Sequence, residues 1–165
     1  MQITPASGYD QYVRIEGLGR QILPNFYTDY LGRETADYMV ESGHTANALQ
    51  AQAAKGYSHY LIEWNGAAVG YFSLHKEGDT MLLSRFYLLE EYRGRGLGQL
   101  AMDFIHREAE GLRAGKIELF VLRRNEAAVG LYTKNGFVIA GEVLTTLGNG
   151  AVLEDYHMQK YFDIQ

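Results

Sequence analysis

The chain has 165 residues, a formal charge of −5 and no cysteine, with 47% hydrophobic and 21% charged residues. That is one ordinary domain's length with a globular balance. It excludes disulfides, thiolate metal sites and cysteine nucleophiles, and it argues against nucleic acid, whose readers usually carry a basic face. No run reaches the ~18 apolar residues of a membrane span and no basic-then-apolar leader opens the chain, so neither a membrane partner nor a metal is expected and the location reads as cytoplasmic.

Met1 to Thr4 alternates as an edge strand does, and Pro5 to Gly8 is expected to end it. Asp10 to Leu31 carries Val13, Leu18, Ile22, Phe26 and Tyr30 at helical spacing, with a kink or a division into two helices expected at Pro24. Glu34 to Glu41 and Thr45 to Lys55 read as two short helices, the second capped by Thr45. From Tyr57 the period becomes two. Tyr57 to Trp64 and Ala67 to His75 read as strands joined by Asn65-Gly66, the pair favoured in a type I′ hairpin turn.

Thr80 to Leu89 follows as a strand, expected to be buried on both faces because Met81, Leu82 and Leu83 are all apolar. Leu97 to Leu112 reads as one amphipathic helix with its stripe at positions 97, 100, 101, 104, 105 and 112, stopped by Gly115. Lys116 to Leu122 is a central strand, and Asn125 to Asn135 a short helix capped by Asn125 and stopped at Gly136. Phe137 to Val143 and Ala151 to Lys160 complete the strands. No repeat, linker or low-complexity segment interrupts residues 1–165, which are expected to form a single α/β (α+β) domain.

Arg93-Gly94-Arg95-Gly96-Leu97-Gly98 lies between a strand and an amphipathic helix. Glycines allow a ligand close to the backbone, and the first amides of a helix have no partner within it, so such a segment can cradle a phosphate. Arg93 and Arg95 can add charge-assisted bonds. A dinucleotide fingerprint would need glycine where Gln99 stands, and no Gly-Lys-Ser/Thr ends the segment as in a P-loop. Taken alone, the glycines serve equally well as a tight strand-to-helix turn. Gly17-Leu18-Gly19-Arg20, similar in composition, sits inside a helix and reads as structural.

A second segment, Asn125 to Phe137, follows the next strand. With the first it resembles the Gcn5-related N-acetyltransferase (GNAT) superfamily, whose signature is Arg/Gln-x-x-Gly-x-Gly/Ala and then an Asn…Tyr-x-x-x-Gly-Phe helix. Arg93, Gly96 and Gly98 match the first pattern, and Asn125, Tyr132, Gly136 and Phe137 the second. The resemblance implies a mixed, mostly antiparallel sheet of about six or seven strands flanked by helices. It implies acetyl-CoA as co-substrate, its diphosphate held by the amides of Arg93, Gly94, Arg95, Gly96, Leu97 and Gly98. The pantetheine arm would pair with the backbone of Tyr87 and Leu88, Asn125 would bond the cofactor, and Lys134 could reach the adenosine phosphate.

Tyr132, near the sulfur in the family, would protonate the departing thiolate. A tyrosine hydroxyl of pKa about 10 can do so without being ionised at neutral pH. An alkyl ammonium of pKa about 10.4 must first lose a proton, and many relatives use a glutamate at the position of Ser84. Serine cannot serve, so His75 is the candidate base, with a water relay open; Glu90 and Glu91 read as solvated charges. The layout loosely resembles the bacterial spermidine/spermine acetyltransferase branch, which would make a polyamine the small-molecule amine and give Glu154 and Asp155 a cation to hold. The acceptor pocket would draw on residues 20 to 55, where Phe26, Tyr27, Tyr30, Tyr38 and His44 lie, although core packing explains most of those aromatics. Relatives often form homodimers. A non-catalytic acyl-CoA-binding module and a protein N-terminal or lysine acetyltransferase are the alternatives.

Overall fold

A computed structural model describes residues 1–163. The elements run β1 (Gln2–Ala6), α1 (Tyr9–Leu31), α2 (Arg33–Gly43), α3 (Ala46–Ala54), β2 (Ser58–Trp64), β3 (Ala67–Glu77), β4 (Thr80–Leu88), a 3-10 turn (Glu90–Tyr92), α4 (Leu97–Gly111), β5 (Lys116–Leu122), α5 (Glu126–Lys134), β6 (Val138–Thr146) and β7 (Val152–Tyr161). The strands follow the order β1-β2-β3-β4-β5-β7-β6. β4 and β5 are parallel, from Thr80↔Lys116 to Leu83↔Leu119, whereas β1/β2, β2/β3, β5/β7 and β6/β7 are antiparallel. This is the mixed, mostly antiparallel α/β arrangement expected. No helix among the described residues is long and apolar enough to cross a membrane.

Two compact units divide the chain. The first comprises Met1–Leu74 with Arg85–Leu97, the second His75–Ser84 with Gly98–Gln165. In the first, Ile15 and Leu23 of α1, Leu49 of α3, Leu61 and Ile62 of β2, and Tyr71 and Phe72 of β3 are fully buried. Burying each such side chain contributes about 1.5–3 kcal/mol, which is what overrides local preference here. α1 does not divide at Pro24: the helix runs through it and buries it, along with Leu18, Ile22 and Leu23. β1 likewise runs past Pro5, which pairs in register with Tyr60. β1 is an edge strand, where a missing amide hydrogen leaves no ladder bond unmade.

His59 ties three elements of this unit together. Its Nε2 lies 3.0 Å from the Leu49 carbonyl and must donate to it, leaving Nδ1 to accept from Ser73 Oγ at 2.6 Å. Burial pushes its pKa down to about 4, so the ring is neutral at physiological pH. The Asn65-Gly66 turn has positive φ at both residues, 52° and 82°, as a type I′ turn requires. Thr45 caps α3, accepting from the Ala48 amide at 3.1 Å.

In the second unit Met81, Met102, Ile105, Ile117, Phe137 and Met158 form the interior. The buried stripe of α4 is Leu97, Ala101, Met102, Ile105 and Ala109; Leu100 and Leu112, expected within it, are 46% and 53% exposed. β4 buries Met81 and Leu83 but leaves Leu82 half-buried, so it is less enclosed than its apolar run implied. α4 ends at Gly111, and the left-handed residue beyond it is Arg113 (φ 56°), not Gly115. Gly115 instead permits a close approach, since a Cβ there would meet the Asp79 carboxylate, and its amide bonds the Asp79 carbonyl at 2.8 Å.

Candidate active site

Beyond β4 the chain makes its 3-10 turn and enters α4 through Arg93 to Gly96. Gly94 and Gly96 both adopt left-handed φ, 74° and 80°, which a side chain would strain. Nothing lies within 4 Å of where a Cβ on either would stand, so both open onto empty space. Leu97 begins α4 with its side chain buried, and the first amides of the helix have no acceptor within it. Gly98 differs: a Cβ there would stand 3.3 Å from Leu131 Cδ2, so it serves the approach of α4 to α5. Arg93 holds the loop, its Nη2 donating to the Leu88 carbonyl at 3.1 Å and its guanidinium lying 5.8 Å from the Phe26 ring centroid. Arg95 lies over Tyr92, 5.4 Å from that centroid, and is exposed.

The backbone of Tyr87 and Leu88 is fixed by a glycine that sequence reasoning passed over. A Cβ on Gly70 of β3 would collide with the Tyr87 carbonyl and stand 2.7 Å from Leu88 Cδ2. Only glycine allows β3 so close, and the Leu89 amide then bonds the Val69 carbonyl at 2.8 Å. A lone glycine inside a strand was the available signal.

The first unit also assembles a polar aromatic cluster beside β4. Tyr27 and Tyr87 share a hydrogen bond at 2.9 Å, and His44 Nδ1 lies 2.8 Å from the Tyr71 hydroxyl. The rings of His44 and Tyr71 stand 5.9 and 5.6 Å from that of Tyr87. Arg85 donates from Nη1 to the Gly43 carbonyl at 2.7 Å. Burial, then the Arg85 charge and His59, hold His44 well below the usual histidine pKa; burial pushes Tyr71 well up, with Arg85 pulling the other way. Both groups are therefore neutral at physiological pH. Tyr27 and His44 lie inside the 20–55 region expected to supply the acceptor pocket, and they contact strand residues with their polar atoms. Beside them, a cleft of about 530 Å³ is lined by Ile22, Phe26, Arg33, Glu90 and Arg93 among others.

In the second unit Asn125 caps α5, its Oδ1 accepting from the Ala128 amide at 3.2 Å. Tyr132 is buried, edge-on to Phe137 with centroids 5.7 Å apart, and Lys134 is exposed in the last turn. Gly136 takes φ 91° after the helix, as the stop requires. His75 is half-buried in β3, two residues before its end, and Ser84 is half-buried in β4. Glu154 is engaged by Arg123 at 3.2 Å, which also pairs with Glu142 at 3.4 Å. Asp155 is buried, and burial raises its carboxyl pKa. One carboxylate of the acidic segment is thus spent on an arginine and the other is enclosed.

The acetyltransferase (GNAT) family model matches residues 21–137. An uncharacterised N-acetyltransferase of Bacillus subtilis, YdgE, is 39% identical over 66 residues, 40% of this chain and 41% of its own length. Mycothiol acetyltransferase of Corynebacterium glutamicum is 35% identical over 115 residues, 65% of this chain and 39% of that protein. The chain therefore spans about two fifths of the length of these two relatives. The PaiA N-acetyltransferase of Thermoplasma acidophilum, solved with coenzyme A, has the same fold, with a TM-score of 0.78 at 17% identity over 98% of this chain and all of that one. By the match that spans most of its length, the chain belongs to the acetyltransferase (GNAT) family.

Proposed function

We propose that this chain is an N-acetyltransferase that moves an acetyl group from acetyl-CoA to the amine of a small molecule. The observation that carries the reading is the pair of left-handed glycines, Gly94 and Gly96, open to empty space immediately before α4. A diphosphate suits such a place, because several main-chain N–H groups and the positive end of a helix can meet it together. The residues present suit that role. Arg93 fixes the loop through the Leu88 carbonyl, and Arg95 is exposed to add charge. The Tyr87-Leu88 backbone, held by Gly70, is assigned to the pantetheine arm. Asn125 spends Oδ1 on its helix cap and keeps its amide nitrogen for the co-substrate.

Acetyl-CoA supplies the activated thioester carbonyl. The chain supplies two proton movements. His75, an imidazole at the end region of β3, takes the proton from the acceptor ammonium, directly or through water. The Tyr132 hydroxyl gives a proton to the departing sulfur. A thiol-release assay with acetyl-CoA and an amine panel tests the reading, and amine-dependent release is expected. Saturable binding of acetyl-CoA with no release would turn the reading to a non-catalytic acyl-CoA-binding module. Tyr132→Phe should lower kcat by about 10²-fold or more with coenzyme A affinity unchanged; an unaltered kcat would remove Tyr132 from the proton path.

A further inference from the structure

Arg85 sits within β4, half-buried, with its Nε enclosed and without a hydrogen-bond acceptor. Among the described residues its hydrogen bond goes to a neutral carbonyl, that of Gly43. Among the described residues no carboxylate lies within ion-pair distance of it. The other arginines of this unit's helices are treated differently: Arg14 pairs with Glu63, Arg20 with Glu16 and Glu41, and Arg33 with Asp37, all near the surface. The unit thus pairs three surface arginines with carboxylates and gives Arg85, whose Nε is enclosed, none among the described residues. A charge removed from water without a counter-charge is among the costlier things a fold can hold.

The neighbours do not neutralise it. The titratable groups that act on its charge are the phenols of Tyr71, Tyr87 and Tyr57, not carboxylates. His44, adjacent to Gly43, is neutral at physiological pH. Gly43 bears no side chain, and even a Cβ at that position would stand 4.0 Å from Arg85 Nη2. The guanidinium therefore keeps donor capacity that the protein does not use, whereas the hydroxyls of Tyr71 and Tyr87 are already bonded to His44 and Tyr27.

We infer that Arg85 receives a carboxylate of the acceptor, so that the small-molecule amine is an amino acid. This rests on the acetyltransferase reading above and names the substrate class of that site. The planar fork of an arginine matches the two oxygens of a carboxylate. Arg85 and Tyr87 lie on the same face of β4, two residues and so about 7 Å apart. That separation sets an anchored carboxylate near the strand end assigned to the pantetheine arm. A polycation such as spermidine meets repulsion from the same guanidinium, and Glu154, which would have received it, is engaged by Arg123.

The test compares the common amino acids with their own carboxamides, and with spermidine, in the thiol-release assay. At least one amino acid should exceed its amide by about 100-fold or more in kcat/KM. Arg85→Gln should erase that preference by depressing the acid alone, chiefly through KM, while coenzyme A affinity holds; Arg85→Lys should restore part of it. In parallel, thermal shifts of the coenzyme A-loaded protein with N-acetyl amino acids and their amides read carboxylate recognition without turnover, and only the acids should stabilise. Equal use of acid and amide, turnover of spermidine with no acid preference, or an Arg85→Gln loss shared by both members overturns the inference. If Arg85→Gln does not fold, the wild-type comparison of acid with amide decides alone. Failure to bind coenzyme A at all sinks the acetyltransferase reading instead, and the thermal shifts with N-acetyl amino acids on the unloaded protein still decide the role of Arg85.

Discussion

Gly17-Leu18-Gly19-Arg20 and Gly94-Arg95-Gly96-Leu97 have the same composition, two glycines, a leucine and an arginine, yet the two stretches solve opposite problems. Gly19 lies within α1, and a Cβ there would stand 3.1 Å from the Tyr71 hydroxyl and 3.5 Å from His44 Cβ. It is a glycine because something is already there. Gly94 and Gly96 take φ values of 74° and 80° and face nothing within 4 Å. They are glycines because of the backbone they must adopt, and the space a side chain would enter is open. A glycine's meaning is thus carried by its torsion and by what a side chain would meet, neither of which composition displays.

The contrast breaks most sharply at Gly96. Gly96→Val forces a branched side chain into a left-handed conformation and fills the open space, so coenzyme A binding by calorimetry should be lost while the far-ultraviolet dichroism of the fold remains. Binding of undiminished strength would show the loop to be an ordinary turn.

Acid sharpens the other half of the comparison, because His44 faces Gly19 and His59 lies in the same unit. His59 has a folded pKa of about 4 against 6.5 in the unfolded chain, so the unfolded state binds its proton first as pH falls. Stability should be whole above pH 6.5 and decline between 6.5 and about 4, by about 3 kcal/mol from His59, with His44 acting in the same direction. Urea midpoints across that range check it, and a flat profile would contradict the neutral buried pair. The smallest effect belongs to Gly19→Val. It should cost about 1–3 kcal/mol by overpacking against Tyr71 and leave coenzyme A affinity unchanged.

Much of this was legible in local sequence because the physics there is local. Asn65-Gly66 declared its turn through the torsions both residues tolerate, and Thr45 and Asn125 declared helix starts by offering an oxygen to an amide three residues on. The loop from Arg93 was legible for the same reason. What stayed hidden depends on partners distant in the chain. Pro24 looked like a break because the burial of Leu18, Ile22 and Leu23 that carries α1 through it is not written beside it. Gly70, alone within a strand, hints at a close approach but not that the Tyr87 carbonyl is what approaches. Nothing beside Arg85 in the chain tells that its guanidinium will meet the Gly43 carbonyl, 42 residues away. The candidate base shows the same division: the strand that holds His75 is legible, and its running on to Glu77 with His75 half-buried is not.

Titration of the isotopically labelled protein with coenzyme A, followed through backbone amide resonances, addresses the central claim most directly. Saturable shifts concentrated at Arg93 to Gly98 and the first turn of α4 are the predicted result. Shifts elsewhere with those amides unmoved, or no shifts at all, would contradict a diphosphate cradle at this turn.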